Sequence, residues 1–225
     1  MYYEIALDLP KAGFDFYAGS GFLKPATFAN GKEAPTVFPV FEEAGYAIAR
    51  GLDDFKIKAA QAGKMILIQK DGASPSSLPY AIDRKEGDMT LAQITESAIS
   101  FLTKDRDKGF FLMVEGSQID WAGHSNDIVG AMSEMQDFEA AFEKAIDFAK
   151  KDGETLVVTT ADHSTVGLSL GKGDQYNWLT EPLHAAKRTP DFMAEEIIKN
   201  GNVEKTVTEY IDFQLSEAEL KAVKT

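Results

Sequence analysis

The chain has 225 residues, of which 44% are hydrophobic and 26% charged, the ordinary balance of a soluble globular protein. It carries 23 Lys and Arg against 36 Asp and Glu, which gives a formal net charge of −13. This charge argues against a protein that binds a nucleic-acid backbone or an anionic membrane surface. The sequence has no cysteine, which excludes disulfides, thiol catalysis and Cys-ligated zinc but leaves the cellular compartment open.

Strands and helices alternate through the first half of the chain. The hydrophobic periodicity predicts short strands at residues 14–18 and 64–69, with a helix over residues 42–62 between them. An amphipathic helix is predicted at residues 91–103, and the continuously apolar run at residues 109–114 is typical of a buried strand. No apolar run is long enough to span a bilayer, and the first residues lack the basic and apolar regions of a signal peptide.

The longest predicted helix covers residues 128–151. A polar residue among positions 125–127 can cap its start, and Gly153 suits its end. A further strand is predicted at residues 155–160. Because the units run strand, helix, strand, we predict an α/β fold with a largely parallel sheet flanked by helices.

The last part of the chain is predicted to be helical. Thr189 and Pro190 are typical of a helix start, and Gly201 of its end. A helical rhythm continues over residues 203–213, and a capping box begins at Ser216. That last helix stops after about two turns, by the 3.6-residue period, which fits either a truncated chain or a natural short terminal helix. We expect one incomplete domain over residues 1–225, with an α/β core portion at 1–170 and a helical insertion or tail at 171–225.

Polar residues with metal-binding chemistry follow two of the predicted strands. Glu115, Asp120 and His124 come after the strand at 109–114, and Asp162 and His163 come after the strand at 155–160. If these strands are neighbours, all five side chains meet at the carboxyl edge of the sheet, where open α/β sheets bind ligands.

Divalent metal ions would relieve the mutual repulsion of those carboxylates. Imidazole with carboxylate suits zinc, and an all-oxygen position suits magnesium. Each of these candidate ligands could instead have a purely structural role. Asp120 and His124 can simply precede a helix, Asp162 and His163 can lie in an ordinary loop, and Glu115 can be solvated.

Two segments resemble the metal-site motifs of the alkaline phosphatases. They are VEGSQIDWAGHSND, within residues 110–127, and TADHS, within residues 159–171. The early stretch IALDLPKAGFDFYAGSG (5–21) and the run from residue 90 to residue 115 also resemble that family. The resemblance implies a three-layer α/β sandwich, only part of which this chain would form.

The resemblance also implies a role for each candidate ligand. Glu115 would bind one Mg²⁺, Asp120 and His124 one Zn²⁺, and Asp162 and His163 a second Zn²⁺. In that family, two zinc ions clamp a phosphate monoester, and a serine is phosphorylated and then freed by hydrolysis.

Several parts of the family's site are expected outside this chain. The resemblance places the nucleophilic serine, a metal-binding aspartate, further magnesium ligands and the phosphate-binding arginine upstream, and a third zinc histidine downstream. We therefore assign no catalytic residue, and neither Ser117 nor Ser164 is a candidate nucleophile. His184 lacks the motif context and is predicted to be a surface or packing histidine. Trp121 is a candidate for the substrate pocket, with packing against the next helix as the alternative.

The sequence therefore favours a fragment of a zinc- and magnesium-dependent phosphate monoester hydrolase that is inactive alone. The parent enzyme would be periplasmic or extracellular by resemblance. One alternative is a non-catalytic assembly module that pairs with a missing half and forms homo-oligomers through exposed sheet edges. Another is a related metallohydrolase, such as a phosphodiesterase, sulfatase or phosphoglycerate mutase.

Overall fold

The computed structural model describes residues 1–70, 76–105, 108–165, 174, 177 and 179–224. Within these residues the strands are β1 (Phe16–Ala18), β2 (Tyr46–Arg50) and β3 (Lys64–Ile68). The helices, in chain order, are α1 (Tyr2–Asp8), α2 (Phe38–Glu43), α3 (Leu52–Lys58), α4 (Leu91–Leu102), α5 (Gln118–His124), α6 (Ile128–Asp152), α7 (Glu181–Ala185), α8 (Pro190–Asn200), α9 (Val203–Tyr210) and α10 (Glu217–Val223). None of the helices in this described part is long and apolar enough to cross a membrane.

The chain divides into two compact units. The first unit consists of Met1–Pro79, Lys85–Glu115 and Phe138–Val157. The second unit consists of Tyr80–Arg84, Gly116–Asp137 and Val158–Thr225. The first therefore contains the sheet, and the second contains α5 with four of the five predicted metal ligands.

The first unit is built on a parallel sheet in the order β1-β3-β2. Side chains of β3 alternate between its two faces, as the strand period of two requires. Ile66 and Ile68 belong to one buried core, whereas Met65 and Leu67 belong to the other. Because both faces of the sheet are buried, the residues of β3 after Lys64 are all apolar.

Helices supply the other half of each core. The first core joins the sheet to residues of α1 and α2, and its buried members are Tyr3, Ala6, Val37, Phe41, Tyr46, Ile66 and Ile68. The second joins it to residues of α3 and α4, and its buried members are Ala49, Phe55, Met65, Leu67, Met89, Ile94 and Phe101. Helix, sheet and helix layers confirm the predicted α/β fold with its parallel sheet flanked by helices.

The single helix predicted over residues 42–62 is wrong. The structure places the end of α2, all of β2 and all of α3 in that stretch. Gly45 and Gly51 have φ values of 88° and 82°, in the left-handed region that glycine adopts without steric cost. These two glycines separate the elements, and the apolar spacing that imitated one helix combines Ile48 of β2 with Leu52 and Phe55 of α3.

The strands predicted at residues 109–114 and 155–160 are also corrected. Both segments are irregular in the structure and have no assigned ladder partner among the described residues. Their apolar composition favours a strand, but a strand also needs neighbours that accept its backbone hydrogen bonds. The predicted helices at 91–103 and 128–151 are confirmed as α4 and α6.

Helix starts and ends in the second unit follow the sequence signals. The Asp127 carboxylate accepts the Gly130 N–H at 3.0 Å and so caps α6, and the Thr189 hydroxyl accepts the Phe192 N–H and caps α8. Ser216 forms the predicted capping box of α10. Helix α9 ends at Tyr210, three residues before the predicted end.

Candidate metal centre

Asp120 and His124 lie one helical turn apart on α5, a short helix that was not predicted from the sequence. The distance from His124 Nε2 to Asp120 Oδ2 is 3.5 Å, longer than an ordinary N–H···O hydrogen bond. His124 is exposed and Asp120 half-buried. An imidazole nitrogen and a carboxylate oxygen thus share one accessible face of a short helix.

Asp162 and His163 form a second carboxylate–imidazole pair, in an irregular segment. The distance from His163 Nε2 to Asp162 Oδ2 is again 3.5 Å, and both side chains are exposed. The other oxygen, Asp162 Oδ1, accepts the backbone N–H of His163 at 3.0 Å. That hydrogen bond fixes one carboxylate oxygen and leaves the other beside the imidazole. Adjacent side chains of a strand point to opposite faces, so Asp162 and His163 can lie side by side only because this segment is not a strand.

Thr165 links the segment that carries the second pair to the helix that carries the first. Its hydroxyl donates a short hydrogen bond to Asp120 Oδ1. The backbone of α5 comes close at the same place, because a Cβ at Gly123 would lie 3.2 Å from the Thr165 side chain. Glycine at position 123 therefore permits this approach. Thr165 was not predicted from the sequence, although a glycine between Asp120 and His124 is a signal of close packing.

The remaining predicted ligand, Glu115, ends the Lys85–Glu115 segment of the first unit. Its side chain is exposed, and its backbone is irregular. Among the described residues, no group of three or more His, Asp or Glu side chains lies close enough to hold one metal ion. The structure thus contains two Asp–His pairs whose side chains are of types that bind metals. Their use as metal ligands stays a prediction.

Two other residues singled out in the sequence are also placed. His184 is exposed on α7, as expected for a surface histidine. Trp121 lies on α5 next to Asp120 and is 45% exposed. Its role in a substrate pocket stays a prediction. Residues 166–173, which include the end of the second segment that resembles the family, lie outside the described part of the chain.

A buried polar network in the second unit was not predicted. Asp83 accepts two hydrogen bonds from Thr189, one from its backbone N–H and one from its hydroxyl. Arg84 forms a two-pronged ion pair with Asp137 of α6, and Glu134 of the same helix accepts the backbone N–H of Ala81. These contacts attach the short segment Tyr80–Arg84 to α6 and to the start of α8.

Burial dominates the electrostatics of this network. It raises the pKa of Asp83 and of Glu134 above their ordinary values, because a charged carboxylate loses solvation there. Burial and the neighbouring carboxylates together raise the pKa of Tyr80 to about 12. No sequence signal identifies these residues, since a buried carboxyl depends on partners that only the fold brings to it.

Comparison with known proteins gives a consistent result. The alkaline phosphatase family matches residues 73–224. Alkaline phosphatase 3 of Bacillus subtilis is 54% identical over 188 residues, which are 82% of this chain and 39% of that protein. The crystal structure of a cold-active alkaline phosphatase from Shewanella sp. is 31% identical, with a TM-score of 0.81 over 99% of this chain and 52% of that one.

A mutant alkaline phosphatase from the Antarctic bacterium TAB5 was solved with Mg bound in its M3 site. It is 36% identical, with a TM-score of 0.54 over 67% of this chain and 40% of that one. The family match and these relatives show that the chain belongs to the alkaline phosphatase family. The chain spans about half or less of the length of these relatives.

Proposed function

We propose that this chain supplies metal-binding residues of a zinc- and magnesium-dependent phosphate monoester hydrolase. The observation that carries the proposal is the pair of carboxylate–imidazole sites, each with 3.5 Å between Oδ2 and Nε2. Asp120 with His124, and Asp162 with His163, would each hold one Zn²⁺. Glu115 would hold Mg²⁺, for which a carboxylate is a suitable ligand.

The chemistry of the donors fits zinc, because one neutral imidazole and one carboxylate are common zinc ligands. His124, Asp162 and His163 are exposed and Asp120 is half-buried, so an ion can reach both pairs without a change in the fold. Two bound zinc ions would neutralise a phosphate dianion and the charges that develop during its displacement. Such neutralisation is needed here, since a protein with a net charge of −13 would otherwise repel a phosphate monoester.

Hydrogen bonds from neighbouring groups of the protein orient the two aspartate ligands. Thr165 holds Oδ1 of Asp120, which leaves Oδ2 beside the His124 imidazole. The backbone N–H of His163 holds Oδ1 of Asp162 in the same way and leaves its Oδ2 beside the second imidazole. Outer hydrogen bonds of this kind fix ligand orientation before the ion arrives.

We infer that the chain alone does not turn over substrate. A catalytic zinc ion normally has three protein ligands, and each pair here supplies two. The family resemblance also places the nucleophilic serine and the phosphate-binding arginine outside the chain. The names of the relatives favour a phosphate monoester over a diester or a sulfate ester as the substrate of the whole enzyme. By the same resemblance, the whole enzyme would act in the periplasm or outside the cell.

The test is hydrolysis of p-nitrophenyl phosphate by the chain, with zinc and magnesium supplied. We expect no turnover above the metal-only background, whereas full-length Bacillus subtilis alkaline phosphatase 3 serves as the positive control. Robust metal-dependent turnover that is lost in His124→Ala would contradict inactivity and would require a nucleophile within this chain. A second candidate function, a non-catalytic assembly module, is favoured by the exposed apolar side chains of Phe111, Met113 and Leu156, which are 81%, 77% and 85% exposed.

A further inference from the structure

Helix α5, which carries the first ligand pair, is too short to keep its shape alone. It spans seven residues, and the residue before it, Ser117, makes no side-chain cap hydrogen bond. Isolated helices shorter than about 12 residues are marginal in water and depend on packing for their stability. The positions of Asp120 and His124 therefore depend on what holds α5 in the folded chain.

The end of α5 is held by a Schellman motif that begins directly after the helix. Asn126 has a φ of 54°, in the left-handed region. Its backbone N–H donates to the Gly123 carbonyl at 3.0 Å, and the Asp127 N–H donates to the Ala122 carbonyl at 2.9 Å. These two hydrogen bonds close the last turn of a helix. His124 is thus the last helical residue before a turn of defined geometry.

The same turn starts α6. The Asp127 carboxylate accepts the Gly130 N–H at 3.0 Å, while its own backbone N–H closes α5. Asp127 is buried, so both of these hydrogen bonds are shielded from water. The helix that carries the first ligand pair is therefore joined to α6 through one shared turn.

Gly130 lets the first turn of α6 lie against α5. A Cβ at this position would be 2.5 Å from Asp127 Oδ2 and 3.3 Å from the Ala122 Cβ. Ala122 itself is fully buried, at 1% exposure. Glycine inside a helix lowers the stability of that helix. Its presence in α6 is explained by this contact, because a side chain would push the two helices apart.

The first part of α6 is itself anchored within the second unit. Glu134 accepts the Ala81 N–H, and Asp137 forms the ion pair with Arg84. Since α6 is fixed at these two positions, its first turn is a firm support for the end of α5.

We propose that Asn126, Asp127 and Gly130, here called the α5–α6 joint, are positioning residues of the first ligand pair. The joint keeps the last turn of α5 wound, and that turn separates Asp120 from His124. Because Thr165 holds Asp120 independently, unwinding of this turn would move His124 away from Asp120 Oδ2. The use of this pair as a zinc site rests on the proposed function, but the placement of His124 does not require metal.

The test measures zinc affinity one pair at a time in the whole 225-residue chain, by competition with a chelating dye. The His163→Ala background leaves the first pair, and the His124→Ala background leaves the second. In the first background, Gly130→Ala should weaken zinc binding about 10- to 100-fold, the usual effect of losing an outer support of a ligand. In the second background, it should leave zinc binding unchanged.

Two kinds of control accompany that variant. Gly63→Ala adds the same methyl group where a Cβ meets nothing within 4 Å, and it should leave both affinities unchanged. Asn126→Val is strained at a φ of 54° and should weaken the first pair as Gly130→Ala does. Asn126→Gly adopts this φ freely and should bind zinc as the parent chain does. Because Asn126 is exposed, this second pair of variants decides the question if Gly130→Ala fails to fold.

A metal-free measurement separates this proposal from the proposed function. In EDTA, the ring signals of His124 in the NMR spectrum should shift in Gly130→Ala and stay in place in Gly63→Ala. The ring signals of His163 should stay in place in both. A parent chain that binds no zinc would reject the proposed function, and the His124 signals would still test the joint.

Three results would overturn the proposal. One is that the His124 ring signals do not move in Gly130→Ala or in Asn126→Val. A second is that neither variant lowers the zinc affinity of the first pair in a chain that binds zinc. The third is an equal loss of affinity at both pairs, which would mean that the variants act through the stability of the whole second unit.

Discussion

The hydroxyl of Thr165 donates a hydrogen bond to Oδ1 of Asp120, which joins the segment of one ligand pair to the helix of the other. The hydrogen bond leaves Asp120 Oδ2 on the side of His124 Nε2. The two pairs are therefore linked through a side chain that itself has no typical metal-ligand chemistry.

Thr165→Val should weaken zinc binding to the chain about 10- to 100-fold, the usual effect of losing an outer-shell partner. The variant keeps the shape of the side chain and removes only the hydroxyl. Zinc affinity is measured by competition with a chelating dye. Thr165→Ser, which retains the hydroxyl, should bind as the parent chain does, and equal affinity in the valine variant would contradict the orienting role.

Asp137→Asn should destabilise the second unit by about 3 kcal/mol, because it leaves the Arg84 guanidinium buried without its counter-charge. The side chains of Arg84 and Asp137 are only 14% and 9% exposed. Urea unfolding measures the change.

The control for that prediction is Asp212→Asn, which removes a partner of Lys187 at the surface. There the side chains are 46% and 62% exposed, and the loss should stay under about 1 kcal/mol. Similar losses in the two variants would show that burial of the Arg84 pair contributes nothing.

Thr189→Val should cost about 2 to 4 kcal/mol of the free energy of unfolding. It removes the N-cap of α8, and it takes a hydroxyl donor from the buried carboxylate of Asp83. Thr189→Ser keeps both hydrogen bonds and should cost only about 1 kcal/mol for the lost methyl group. Urea unfolding of the two variants measures these losses of stability, and hydrogen exchange of the α8 amides shows whether they affect that helix. Equal losses of stability in Thr189→Val and Thr189→Ser would contradict a role for the hydroxyl hydrogen bonds.

Glu134→Gln should alter how stability depends on pH. Burial raises the pKa of Glu134 above 4.5, so the folded chain holds this proton more tightly than the unfolded chain. The stabilisation from that proton is complete below the unfolded pKa and is lost as pH rises through the folded pKa.

Relative to the glutamine variant, the parent chain should therefore lose stability as pH rises from the ordinary glutamate pKa of 4.5 through the raised pKa of Glu134 in the folded chain. Glutamine can still accept the Ala81 N–H, so the comparison isolates the charge. Urea unfolding of both chains across this range is the measurement. Parallel stability curves would show that burial does not perturb Glu134.

Local signals in the sequence were sufficient for the starts of α6, α8 and α10. Asp127 caps α6 because its carboxylate precedes the helix, whereas α5, which places Asp120 and His124 one turn apart, was not predicted. The same reasoning failed over residues 42–62, where apolar residues of β2 and of α3 together imitate the spacing of one long helix.

The rest depends on contacts that sequence alone does not contain. The run at residues 109–114 is apolar enough for a buried strand, yet a ladder needs neighbouring strands, and the described residues provide none. Asp83 and Glu134 are buried only because Thr189 and the Ala81 N–H meet them in the fold. Thr165 is likewise placed by tertiary packing against Gly123.

The central claim is that Asp120 with His124, and Asp162 with His163, bind zinc. The most direct measurement is the zinc stoichiometry of the purified chain, titrated in parallel with His124→Ala, His163→Ala and His184→Ala. We predict two ions per parent chain, one in each of the first two variants and two in the His184→Ala control. Unchanged stoichiometry in both His124→Ala and His163→Ala would contradict the account.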